Sequence, residues 1–143
     1  KVAERLSSRE DVMFVFTGTA PDPRKNEIFL GWVPGSQMPY LYRLSDLIFI
    51  PSLWPEPQGI VAVEAMLLGK PVVASNVGGL KAIIKRESSG ALVEPNNPDQ
   101  AAEALEKCLS GSSGSSPSKE VSQNFAQRYE WETIYQEYIP QII

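Results

Sequence analysis

The sequence contains no histidine, which excludes imidazole acid–base catalysis and histidine-ligated metal sites within this chain. Its single cysteine, Cys108, cannot form an internal disulfide; it lies in a helical, partly apolar stretch, where a small packing residue is expected and not a nucleophile. No Asp-x-Asp triplet occurs, so the acidic pattern that holds a divalent cation at a diphosphate is missing, and no metal or other cofactor is implied. No apolar run approaches the ~18 residues that a membrane span needs, and the first ten residues do not read as a signal peptide. A soluble, cytoplasmic protein is the expectation. The lysines and arginines are scattered over a chain of net charge -4, so no basic patch invites nucleic acid. The segment GTAPDP after the first apolar run does not fit G-x-G-x-x-G, which argues against an NAD-binding Rossmann domain.

What is present is ordinary globular material. The 143 residues suit one domain, and 43% hydrophobic with 21% charged residues argues against global disorder. Short apolar runs recur at 12–16 (VMFVF), 27–30 (EIFL), 47–50 (LIFI), 71–75 (PVVAS) and 91–93 (ALV). They are nearly continuous and bounded by Gly, Pro, Asn or Asp, as expected of parallel strands covered on both faces. Between most of them lie stretches of helical spacing: Met38 to Leu44, Gly59 to Leu68, Leu80 to Lys85 and Asp99 to Leu109. The alternation predicts an α/β fold, a Rossmann-like doubly wound parallel sheet. Residues 18–26 connect two predicted strands without a helical pattern, so either the pairing differs there or the crossover is short.

The predicted organisation has three parts. Residues 1–109 form the Rossmann-like domain, residues 110–118 (SGSSGSSPS) a flexible linker, and residues 119–143 two helices that pack back on the domain. The opening KVAERLSS reads as the last turns of a helix, so preceding chain is expected.

Chemistry concentrates between Pro51 and Gly79. The LIFI strand empties into a loop with Pro51, Pro55 and Pro57, displayed at the strand's carboxyl end, where open α/β sheets bind ligands. At Gly59 the pattern turns helical, and a glycine followed by free amides at a helix start forms an anion site suited to phosphate. Glu56 precedes that point and Glu64 lies about a turn and a half beyond it. Carboxylates repel phosphate but accept hydroxyl donors, so their targets would be sugar rings on either side. The plain alternative is two solvated charges. Against it, Glu64 stands among Val61, Ala62, Val63, Ala65, Met66, Leu67 and Leu68, and a carboxylate buried there would need a hydrogen-bond partner.

FLGWVPGSQMPYLYRLSDLIFIPSLWPEPQGIVAVEAMLLGKPVVASNVGGLKAII resembles, almost throughout, the C-terminal domain of retaining GT-B glycosyltransferases, the glycosyltransferase family 4 group also described as glycosyl transferases group 1. Glu56 and Glu64 match that group's paired glutamates with seven residues between them. The resemblance implies that Glu56 holds donor-sugar hydroxyls at the reacting centre and Glu64 the ribose hydroxyls. It implies that Gln58, Gly59, Ile60 and Val61 offer backbone contacts to the sugar and pyrophosphate. Gly31, Trp32 and Val33 correspond to the segment beside the nucleotide base, with a core aromatic as the alternative for Trp32. Gly78 and Gly79 match a Gly-Gly turn, read more simply as a tight turn than as a ligand contact.

Nothing before Val12 matches the family's first strand, nor the Arg and Lys that neutralise its leaving diphosphate; Lys1, Arg5 and Arg9 have surface helical spacing. The expected partner is a nucleotide-sugar donor, with the acceptor-binding N-terminal domain missing and any peripheral membrane association belonging to the parent protein. Weak or negligible donor binding and no turnover are expected of the chain alone. A nucleotide-sugar epimerase of the same architecture and a degenerate binding module are the rival functions.

Overall fold

The computed structural model describes residues 1–18, 24–87 and 90–111. In chain order the elements are α1 (Val2–Arg5), β1 (Phe14–Phe16), β2 (Glu27–Phe29), a 3-10 turn (Gly35–Gln37), α2 (Met38–Leu44), β3 (Ile48–Ile50), α3 (Ile60–Leu67), β4 (Val72–Ser75), α4 (Gly78–Glu87), β5 (Gly90–Val93) and α5 (Pro98–Leu109). Each of the five apolar runs contains a strand, and each helical stretch a helix. Most of the linker and the two C-terminal helices expected over 119–143 lie outside the described residues.

Every strand pair is parallel. β4 lies between β3 and β5, with Phe49 opposite Val73 and Val73 opposite Ala91, while β1 pairs with β2 through Val15 and Ile28. The short connection over residues 17–26 therefore reflects a shortened crossover and not a different pairing. Ten residues of chain reach at most ~33 Å, ample for strands about 10 Å long.

All four residues of β4 are buried, which explains the uninterrupted run VVAS. Its side chains alternate between two cores. Val72 and Ala74 pack with Ala62, Ala65 and Met66 of α3 and with Leu80, Ile83 and Ile84 of α4. Val73 turns the other way, toward Leu6, Val93, Ala101 and Leu105 under α1 and α5. Helices thus cover both faces of the three-stranded sheet. The half-buried Cys108 packs against the second core, as expected of a structural cysteine.

Local chemistry fixes the helix ends. Gly69 at φ 70° follows α3, its amide bonding to the Met66 carbonyl at 3.0 Å and that of Lys70 to Ala65 at 3.0 Å, a glycine-terminated C-cap that Pro71 prevents from continuing. Asn97 caps α5 by accepting a hydrogen bond from the Gln100 amide at 3.1 Å, and Pro98 occupies the first turn.

The parallel strands expected of a Rossmann-like domain are present in two sheets, and among the described residues no ladder joins β1 to β3. One expectation needs correction: β1 and β2 are not covered on both faces, because Val15 and Ile28 point outward and are exposed. The opposite face, where the Phe16 and Phe29 rings stack 4.6 Å apart, is only half-buried. Among the described residues no helix is long and apolar enough to cross a membrane.

Candidate functional site

β3 delivers the chain at Pro51 into the loop over residues 51–59, and α3 begins immediately after Gly59. Gly59 adopts φ 63°, ψ 44°, a left-handed conformation in which a β-carbon costs about 1–2 kcal/mol. A β-carbon there would also lie 2.7 Å from Leu80 Cδ2, so the Leu80 side chain would have to shift to admit it. Leu80 is fully buried, and it seats the start of α3 against α4. The carbonyl of Gly59 accepts from the amides of Ala62 (2.9 Å) and Val63 (3.3 Å). No side chain caps the helix, so the amides of Ile60 and Val61 remain the outward-facing donors of its first turn. Two uncapped amides thus open α3 at the carboxyl edge of the sheet, an arrangement that suits an anion.

Glu56 is half-buried in the loop, and the Ser52 hydroxyl donates to its Oε1. Its backbone is held from the other side, since the Gly79 amide donates to the Glu56 carbonyl at 2.7 Å. Close approach is possible only because α4 opens with two glycines. A β-carbon at Gly78 would sit 2.8 Å from the Glu56 nitrogen, and one at Gly79 would sit 2.6 Å from the Pro57 carbonyl oxygen. The tight turn expected at Gly78 and Gly79 is thus the first turn of α4, packed on the backbone that carries Glu56.

Glu64 accepts a 2.7 Å hydrogen bond from the hydroxyl of Tyr42, which reaches over from α2. The partner required by the sequence argument exists, but the burial does not: Glu64 is exposed. The apolar residues around it do not all face the core. Ala62, Ala65 and Met66 do, whereas Ile60, Val61 and Leu67 share the exposed stripe with Glu64. Tyr42 is the buried member of the pair, 4% exposed, and burial first, then the carboxylate it bonds, raise its phenol above the ordinary value of 10. Sequence reasoning missed both Ser52 and Tyr42. A tyrosine amid the apolar spacing of α2 signals a hydroxyl in need of a partner, and that signal was available.

Trp32 follows Gly31 at the end of β2 and is 88% exposed, which removes the core-aromatic alternative. With Leu30, Val33, Gln37, Tyr40 and Leu41 it lines an open hollow of about 490 Å³. A larger cleft of about 1190 Å³ runs between β1 and β3, and of the expected donor-binding residues only Val61 borders it. Leu41 borders both. Gln58 and Ile60 are exposed beside Gly59.

The arginines near the start are engaged elsewhere. Arg5 pairs with Asp99 across α1 and α5, and Arg9 pairs with Asp11 at 2.6 Å and with Glu106 at 3.9 Å. The hydrogen bond from Arg9 lowers the Asp11 carboxyl to about 2. These cations complete the ion pairs of the α1–α5 layer, away from the first turn of α3.

Comparison with known proteins places this arrangement. Residues 3–128 match the family described as glycosyl transferases group 1. The chain belongs to that family. A D-inositol 3-phosphate glycosyltransferase of Salinispora tropica is 36% identical to this group 1 domain over 104 residues, 73% of this chain and 21% of the relative. An uncharacterized glycosyltransferase of Methanocaldococcus jannaschii is 49% identical over 87 residues, 61% of this chain and 22% of the relative. The group 1 chain therefore spans about a fifth of these relatives. Among solved structures, Anabaena HepE in complex with UDP superposes with a TM-score of 0.81 at 25% identity, covering 99% of this chain and 43% of that one. The fold is that of the C-terminal domain of GT-B glycosyltransferases.

Proposed function

We propose that this group 1 domain binds the nucleotide-sugar donor for a two-domain glycosyltransferase that retains anomeric configuration, and that the domain alone does not turn over. The observation that carries the reading is the treatment of the two acids. Ser52 occupies Oε1 of Glu56 and Tyr42 occupies Oε2 of Glu64, so each carboxylate is oriented by a hydroxyl of the chain. Each keeps a second oxygen with acceptor capacity for a ligand hydroxyl. The uncapped amides of Ile60 and Val61 between them take the pyrophosphate, assisted by the helix dipole.

In this reading Glu56 accepts from the donor sugar and Glu64 from the ribose. Gln58, Gly59, Ile60 and Val61 present backbone to the sugar and diphosphate, while the segment at Trp32 and Val33 borders the base. UDP, present in the Anabaena HepE complex, is a suitable probe. Departure of a nucleoside diphosphate builds negative charge on phosphate, and donors preorganised around it lower the barrier. Here the helix terminus supplies amides, and Arg5 and Arg9 are committed to Asp99 and Asp11. The counter-cations and the acceptor site are therefore assigned to the remainder of a longer protein.

Calorimetry with UDP, ADP and GDP, run beside a transfer assay on the full-length parent, tests the proposal. The expected outcome is weak binding without transfer by the 143-residue chain, and transfer by the parent. Robust transfer by the chain alone would overturn the division of labour.

A further inference from the structure

Both tryptophans among the described residues stand in the open, Trp32 at 88% and Trp54 at 67% exposure. That is unusual for the largest side chain, which is highly buried on average. Each lies just past the carboxyl end of a parallel strand, Trp32 after β2 and Trp54 after β3, the sheet edge at which open α/β folds bind ligands. Trp32 lines the hollow beside α2, whereas Trp54 shares its loop with Glu56.

Local geometry joins this second indole to the acid. The Ser52 hydroxyl donates to Glu56 Oε1, which closes residues 52–56 into a ring with Trp54 at its middle. At about 3.8 Å per Cα step, the Trp54 Cα lies within about 7.6 Å of the Glu56 Cα. The underside of the turn is taken up by α4: the Gly79 amide bonds to the Glu56 carbonyl at 2.7 Å, and Gly78 and Gly79 lie close against the backbone of Glu56, Pro57 and Gln58. The indole is left to solvent. Pro55 biases Trp54 toward extended backbone, and Pro51 and Pro57 restrict the rest of the loop. An exposed indole on so constrained a chain gives up little freedom when a ligand settles on it.

We propose that Trp54 is the platform for the donor's sugar ring: one face of a pyranose rests on the indole while a rim hydroxyl donates to the remaining oxygen of Glu56. The two groups match the two kinds of surface that a pyranose offers. Hydroxyls radiate from its rim and suit a carboxylate, which only accepts. Its faces carry C–H bonds, apolar and slightly positive, which suit the negative face of an aromatic ring. A diphosphate offers neither surface, and the base is assigned to the segment at Trp32. The inference rests on the donor reading and adds to it a residue that senses the sugar and not the nucleotide. Leu53, 61% exposed in the same loop, has no aromatic face and serves as the control.

Indole and amide resonances of the 143-residue chain, followed during titration to millimolar UDP and UDP-glucose, test it. The Trp54 Nε1–H resonance should move with UDP-glucose and stay still with UDP. Trp54→Ala should weaken UDP-glucose binding at least about fivefold, the scale of one aromatic contact, and leave UDP unchanged. Trp54→Tyr should retain most of the affinity, and Leu53→Ala should alter neither ligand. The Gly79 amide, bonded to the Glu56 carbonyl, reports in each variant that the turn is intact. UDP-glucose binding that depends on Glu56 but ignores Trp54→Ala would overturn the platform and leave the donor reading standing. An equal loss for both ligands would also overturn it, as damage to the loop. A Trp54 resonance moved by methyl glucoside beside saturating UDP, and not by UDP-glucose, would overturn it in favour of an acceptor sugar. Silence of every resonance toward both nucleotides would overturn the donor reading and the platform together.

Discussion

Glu64 shows how one contact sets the chemistry of a residue. Its carboxylate stands on the exposed stripe of α3, and the buried Tyr42 hydroxyl fixes its orientation from the adjacent helix. Replacing Tyr42 with Phe should cost about 1 kcal/mol, less than the roughly 1.5–3 kcal/mol of a bond to a buried charged group, because an exposed Glu64 can rehydrate. The pH dependence has a definite sign. Tyr42 keeps its proton to higher pH in the folded chain than in the unfolded one, so its contribution is complete below pH 10 and is lost as pH rises above that value. Urea unfolding of wild type and Y42F should therefore give midpoints that converge above pH 10. A constant difference through that range would remove Tyr42 from contact with Glu64. The sequence announced Glu64 as a carboxylate needing a partner, but not which one, since a residue 22 positions away in sequence becomes a neighbour only through tertiary packing.

At the scale of elements, the start of α4 acts as a brace for the loop that carries Glu56. Gly78 combines φ 46° with contact against the Glu56 backbone, so alanine there is penalised twice. Gly78→Ala should cost about 2 kcal/mol or more, whereas Gly35→Ala, facing open space in the 3-10 turn, should stay within about 0.5 kcal/mol. Thermal or denaturant unfolding of the two variants distinguishes a packed glycine from a loop glycine; equal effects would refute the brace. The strands and helices were legible because apolar runs and helical spacing are local signals: VVAS is a continuous run since β4 is buried on both faces. Coverage was not legible in the same way. VMFVF is as apolar as VVAS, yet Val15 is exposed, because what lies on each face of β1 depends on elements remote in the chain. Trp32 teaches the converse, a large aromatic held in the open at a strand end, where composition alone left core and site equally open.

For the whole molecule, the strands fall into two parallel sheets among the described residues, and the chain spans about a fifth of its curated relatives. The loop that carries Glu56, its bracing helix and the hydroxyl-oriented acids are assembled within the described residues. The candidate site was legible as a motif: Glu56, Gly59 and Glu64 were found from proline placement, a helix start and acid spacing. The support given by Ser52, Tyr42 and Leu80 emerged only from the fold, as did the contact that makes Gly78, read in the sequence as a tight turn, a brace for Glu56.

The central claim is that Glu56 and Glu64 grip different parts of one donor. Amide chemical shifts of the 143-residue chain, followed during titration to millimolar UDP and UDP-glucose, test it most directly, because weak binding still displaces resonances. The account predicts shifts centred on Trp32, Val33 and Gln58 to Glu64, weakened for both ligands by Glu64→Gln and for UDP-glucose alone by Glu56→Gln. Shifts centred on α5 or on the β1–β3 cleft, or titrations that neither substitution alters, would contradict it.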